Sequence, residues 1–150
     1  MTRAEFYQLF GGGRAVIGVV HLLPLPGSPR YTGEFSSIVD RALRDARAYV
    51  EAGFNGLIVE NFGDAPFYPD QVGPETVAAM AVVTYAVRAA VEVPVGVNVL
   101  RNDARAALAV ATAAGGRFIR VNVHTGAMLT DQGILQGKAA ETLRLRKMLS

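Results

Sequence analysis

The chain has 150 residues, 51% of them hydrophobic and 19% charged, with a formal net charge of +2. That size admits one domain, residues 1–150, with a core of its own, and the apolar content excludes a disordered chain. The basic residues are mostly arginines scattered along the sequence, so no nucleic-acid footprint is present, and the absence of cysteine excludes a disulfide frame and thiolate metal sites.

Thr2 and Glu5 have the spacing of a capping box, and Phe6, Leu9 and Phe10 share one helical face. A short amphipathic helix is therefore expected at the start, suited to plug the bottom of a barrel, with Gly11, Gly12 and Gly13 breaking it. An apolar β-type run at 15–20 follows, as a parallel strand covered on both faces requires, and ends at His21. Residues 15–25 (AVIGVVHLLPL) also have the look of a signal-peptide core. His21 and Pro24 interrupt that run, however, and no small-residue cleavage site follows. The next stretch, LLPLPGSPRYTG, carries Pro24, Pro26, Gly27 and Pro29 and cannot be regular helix or central strand. A long loop at the C-terminal end of a strand points to function more than to plain connection.

A second helix starts at Ser36 or Ser37, with Val39, Ala42, Leu43, Ala46 and Val50 at helical spacing and Gly53 as its C-terminal cap. Residues 56–59 form the second strand and deliver Glu60, Asn61, Phe62, Gly63 and Asp64. Pro74 and Glu75 open a third helix, which is apolar nearly all round from 77 to 91. Such a helix is buried on more than one side. A subunit interface is the first reading and a peripheral membrane contact the second.

The third strand is expected at 95–99, with Pro94 at its start and Asn98, Arg101, Asn102 and Asp103 at its end. Asp103 stays open between capping the helix at 104–114 and a catalytic role. Gly115 and Gly116 stop that helix. A fourth strand, 118–124, places Ile119, Val121 and Val123 on one side and Arg120, Asn122 and His124 on the other. A loop through Thr125, Thr130, Asp131, Gln132 and Gly133 leads to a last helix at 138–150. No run reaches the roughly 18–20 apolar residues of a spanning helix, so a soluble, cytoplasmic protein is expected.

Helix, then strand–helix four times, is the order of a (β/α)8 TIM barrel cut at its fourth unit. In such barrels the outward strand face packs on helices and the inward face, near the strand C-terminal ends, builds the active site. His21 and His124, the only histidines, both fall there, and on the first and fourth strands they would flank a ligand. Glu60 and Arg120, if both face inward, should pair with each other or with a ligand, and a structural ion pair is as good a reading as catalysis. Asn61, Asn98, Asn102 and Asn122 supply amides suited to a hydroxylated ligand, although each also fits turn chemistry. A His–Glu60–Asp64 divalent site has no supporting ligand spacing, so no metal is assigned, and no pattern names a cofactor.

Four segments in order, GVVHLLPLPGSPRY (18–31), IVENFGDAPF (58–67), GVNVLRND (96–103) and IRVNVHTGAMLTDQGI (119–134), resemble the BtpA/SgcQ family. The resemblance implies kinship with the ribulose-phosphate-binding barrels and places His21, Glu60, Asn61, Asp64, Asn98, Arg101, Asn102, Asn122 and His124 inside family motifs without giving them roles. The residues and the resemblance together leave two functional readings. One is an enzyme or binding protein for a small sugar-like or phosphorylated metabolite, with His21, Glu60 or His124 moving protons and Asn61, Asp64, Asn98, Arg101, Asn102, Arg120, Asn122 and Thr125 binding the ligand. The other is a non-catalytic biogenesis factor for membrane complexes, photosystem I among them, acting at the membrane periphery. Family members run to about 250 residues, the size of a full barrel. A half barrel leaves strand edges open, so a homo-oligomer or a missing C-terminal half is expected to cover them.

Overall fold

The computed structural model describes residues 2–149. Helix α1 (Arg3–Leu9) carries the expected capping box: the Glu5 N–H donates to Thr2 Oγ1 at 3.2 Å and the Thr2 N–H to Glu5 Oε2 at 2.6 Å. Then come β1 (Ile17–His21), α2 (Phe35–Glu51), β2 (Gly56–Glu60), α3 (Pro74–Ala90), β3 (Val95–Asn98), α4 (Ala104–Ala114) and β4 (Phe118–Ile119). A 3-10 turn, Phe62–Asp64, follows β2. The strands form one parallel sheet in the order β1-β2-β3-β4. Strand–helix alternation with all four strands of this sheet parallel is the architecture of a partial (β/α) barrel.

On the outer face, Val20, Leu57, Val59, Val95 and Val97 pack against Met80, Val83 and Val87 of α3 and against alanines of α2 and α4. Helix α3 contacts both α2 and α4, which accounts for its apolar character on more than one side. Val82 and Tyr85 are its large hydrophobic side chains left outside.

On the inner face the lowest layer is made by rings set against glycines. Phe10, just past α1, is buried over Gly56, where a Cβ would come within 2.6 Å of its ring. It meets Phe118 edge-on at 5.6 Å, and Phe118 in turn lies over Gly96. Two strand glycines thus make room for two phenylalanines. Above that layer the register aligns His21 with Glu60 and Glu60 with Asn98, so three strand ends come level.

The largest departure from expectation lies at 118–124. β4 holds two residues, and one more ladder bond, Arg120 N–H to Val97 O at 2.9 Å, extends it. By then β3 has ended and its chain turns through 100–102 into α4, so the next backbone groups have no strand to meet. The Asn102 side chain takes them instead: Oδ1 accepts from the Val123 N–H at 2.9 Å and Nδ2 donates to the Val123 carbonyl at 3.1 Å. Residues expected as loop form an antiparallel hairpin, β5 (Ala127–Thr130) and β6 (Gly133–Gln136). Gly133, at φ +94°, leaves its turn in a conformation that favours glycine. Helix α5 (Ala139–Leu149) closes the described chain, and the expected last helical residue, Ser150, lies outside the described residues.

Candidate functional site

Glu60 ends an interior strand with neighbours on both sides, so its carboxylate is only 4% exposed. A buried carboxylate without partners would be strongly disfavoured. Here Oε2 accepts from Arg120 Nη1 at 3.0 Å and from Asn98 Nδ2, while Oε1 faces His21 Nε2 at 3.4 Å. Asn98 Nδ2 also donates to Asn122 Oδ1 at 3.3 Å. Side chains from all four strand ends therefore converge on one carboxyl group. The His21 ring is stacked on Phe62, with centroids 4.3 Å apart and planes 21° from parallel. Phe62 reaches that place because Gly63, with no side chain, lets the turn back closely onto residues 22–24, its N–H donating to the Leu22 carbonyl at 3.0 Å.

Several groups in this cluster face outward unengaged. His21 and Arg120 side chains are 49% and 51% exposed. Among the described residues, His21 Nδ1, Arg120 Nη2 and Asn122 Nδ2 have no hydrogen-bond partner.

Other expected site residues serve the chain's own backbone. Asn61 Oδ1 accepts from the Leu100 N–H at 2.7 Å, and its Nδ2 donates to Asp64 Oδ2 at 3.0 Å. Asp64 Oδ1 accepts from the Leu25 N–H at 2.8 Å, and burial pushes its carboxyl above the usual aspartate range against the pull of those two bonds. With Asp64 so engaged, the His–Glu60–Asp64 grouping is not formed, and among the described residues no three His, Asp or Glu side chains gather to hold a metal ion. Asn102 holds Val123, as described. Asp103 is a cap, its Oδ1 accepting from the Ala106 N–H at 2.8 Å.

Arg101 is turned to the hairpin. Its Nη2 donates to Asp131 Oδ1 at 2.8 Å, its Nε to Gln132 Oε1 at 2.7 Å, and its guanidinium lies 5.2 Å from the Phe67 ring centre. The Arg101 bond, and after it one from Gln132 Nε2 to Asp131 Oδ2 at 2.6 Å, hold the Asp131 carboxyl below its usual range. Thr125 is exposed in the bend before β5.

The expectation that two imidazoles flank one ligand fails for His124. The strand pattern stops at Ile119, so alternation no longer governs position 124. His124 lines a groove with Leu108 of α4, Thr142 and Arg146 of α5, and Ile119 and Val121, which is the helix side of the sheet. Phe62 is the contributor that sequence reasoning passed over, although its place two residues after Glu60 was a signal.

Two cavities bear on ligand access. One of about 300 Å³ lies beside the strand ends, lined by Ser28, Asn61, Asp64, Phe67, Thr76 and Leu100. A larger one of about 650 Å³ is at the opposite end of the sheet, among Gln8, Arg88, Glu92 and Arg117, and includes none of the converging groups.

Residues 13–150 match the profile of the BtpA family. The chain belongs to that family. Similar BtpA-family proteins include the photosystem I biogenesis protein BtpA of Synechocystis, 50% identical over 97% of this chain and 51% of that protein. An uncharacterized protein of Pyrococcus furiosus is 52% identical over 91% of the chain and 52% of its own length. The sgc region protein SgcQ of Escherichia coli is 34% identical over 91% of the chain and 51% of its own length. The chain thus spans about half the length of the curated BtpA relatives it matches. None of its helices in the described residues is long and apolar enough to cross a membrane.

Proposed function

We propose that the chain carries the strand-end site of a protein that binds a small sugar-like or phosphorylated metabolite and acts on it there. One observation supports this above the others: Glu60 is buried, yet the groups gathered on it present unengaged imidazole, guanidinium and amide atoms to the open side. A purely structural ion pair needs no such surplus of directed donors. The test is thermal unfolding of the chain in the presence of hexoses, pentoses, trioses and their phosphates. A binder raises the midpoint in proportion to the logarithm of its concentration, and replacing Arg120 by Gln removes the rise. A panel with no shift at millimolar ligand would defeat the reading.

The likeness to a photosystem I biogenesis protein favours a second reading, a non-catalytic factor for membrane complexes working at the membrane periphery. Val82 and Tyr85, the exposed large hydrophobic residues of α3, are then the contact, and Val83 is not, since it is fully buried. Co-sedimentation with vesicles of mixed neutral and anionic lipid, lost in Val82→Glu, would favour this reading over the first.

A further inference from the structure

Resting on the strand-end binding site proposed above, we infer a reaction class: removal of a proton from the carbon next to a substrate carbonyl, with His21 as the base and Arg120 and Asn122 holding the oxygen that becomes negative. The imidazole is constrained on two sides, its plane by the stacked Phe62 ring and its Nε2 by Glu60 Oε1 at 3.4 Å. A carboxylate facing Nε2 favours the tautomer with its proton there, which leaves the lone pair on Nδ1. Nδ1 is the ring nitrogen with no partner among the described residues.

Glu60 itself is poorly placed to be the base. Its Oε2 already accepts from Arg120 and Asn98, and its Oε1 faces the imidazole. It acts as a positioning residue, orienting His21 and stabilising the imidazolium once the proton has moved.

The unengaged groups beside it are donors. Arg120 uses Nη1 on Glu60 and keeps Nη2 unengaged. Asn122 accepts from Asn98 through Oδ1, so its Nδ2 is left to donate. His21 and Arg120 are held by the two oxygens of one carboxylate, and Asn122 is bonded to Asn98 on the same group, so base and donors lie at the same end of the sheet around Glu60. Donors directed at an oxygen that gains charge during reaction are the arrangement that lowers the barrier for enolate formation. The charges of Arg120 and Glu60 cancel, which suits a reacting end that is neutral in the ground state.

The step balances without a co-reactant. His21 Nδ1 takes the proton, the C–H pair becomes the C=C bond of an enolate, and the carbonyl π pair moves onto oxygen beside Arg120 and Asn122. Return of the proton to that carbon, from either face, restores the carbonyl. The substrate class is a 2-hydroxy ketone or aldehyde.

The experiment incubates the 150-residue chain with dihydroxyacetone and, separately, dihydroxyacetone phosphate in D2O near neutrality, following loss of the C–H signals by proton NMR. Arg41→Ala, on the outer face of α2, is the control. Exchange faster than in buffer is expected, falling by about 10²–10⁴-fold in His21→Asn. Asn122→Leu, which leaves the Glu60–Arg120 pair intact, is expected to lose about 10²-fold. Glu60→Gln should lower kcat with KM little changed and move the His21 ¹⁵N signals from the Nε2–H tautomer towards a mixture. Exchange that persists in His21→Asn would overturn the inference, as would a bound triose, seen by line broadening, whose protons do not exchange. The second outcome leaves the binding site standing, whereas absence of binding to any compound defeats the site itself.

Discussion

Arg120 and Glu60, sixty positions apart in sequence, pair at 3.0 Å across the end of β3, with Asn98 of that strand bonded to the same carboxylate oxygen. The pair joins strands that are not neighbours, so it forms only when the sheet has its full β2-β3-β4 order. It is a consequence of topology as much as of charge.

Removing Glu60 should therefore be felt by the fold. Glu60→Ala leaves Asn98, 1% exposed, with only its longer bond to Asn122, while Arg120 and His21 can turn to water. The cost should fall below the ~3–5 kcal/mol of a fully buried pair, at about 2 kcal/mol. Urea unfolding measures it, and a change under about 0.5 kcal/mol would show that the cluster contributes nothing to folding.

Gly96 tests the inner layer of rings. Its missing side chain is occupied by the Phe118 ring, so Gly96→Ala should destabilise by about 1–3 kcal/mol through overpacking. Adding Phe118→Leu should recover part of that loss. If the double variant is no better than the sum of the two singles, the ring is not what fills the space.

Asn102 stands in for a missing strand neighbour. Asn102→Ala removes both bonds to Val123 and leaves backbone groups of a buried residue unpaired, at about 1–3 kcal/mol. Amide exchange should quicken at 123 and through the hairpin before it does in β2. Uniform quickening across the sheet would contradict the local role.

The two aspartates should titrate on opposite sides of the ordinary value. Arg101, and then Gln132, holds Asp131 low. Its contribution is complete above the unfolded value of about 3.9 and is lost as pH falls through the lower folded value, so acid loosens the hairpin. Burial holds Asp64 high, so between the unfolded value and its raised folded value the folded chain takes up a proton that the unfolded chain does not. Stability from that group rises as pH falls through this window. Carboxyl ¹³C titration reads both, and a midpoint for Asp131 above that of Asp64 would reverse the assignment.

β1 and β4 each have a strand neighbour on one side only among the described residues. Open parallel edges favour pairing with other chains, so we expect the 150-residue chain to self-associate, with light scattering giving a mass above 15.9 kDa. A monodisperse monomer that binds no apolar dye would count against it.

Most of the β/α order was legible because it rests on local rules. Apolar runs, helical spacing, Asp103 before α4 and Gly53 after α2 each act within a few residues of themselves, and the elements formed where those signals lie. The hairpin was less legible: Met128, Leu129 and Ile134 are mostly exposed there, so no burial pattern announces its strands. Alternation placed Arg120 and Asn122 with Glu60 and Asn98 but misled at His124, since period two holds only while a neighbouring strand supplies the ladder, and β3 withdraws after Asn98.

What the sequence by itself determined is the parallel β/α chain and the delivery of His21, Glu60 and Asn98 to level strand ends, because strand parity and register follow from local patterning. Only the tertiary structure decided which polar groups meet. Asn61, Asp64, Asn102 and Arg101 have the same chemistry as their neighbours at the site, but nearby loop backbone and the hairpin lie within their reach and satisfy them. The His124 side chain bonds to nothing among the described residues; it lies on the helix side, next to Val123, whose backbone is held by Asn102 from another segment of the chain.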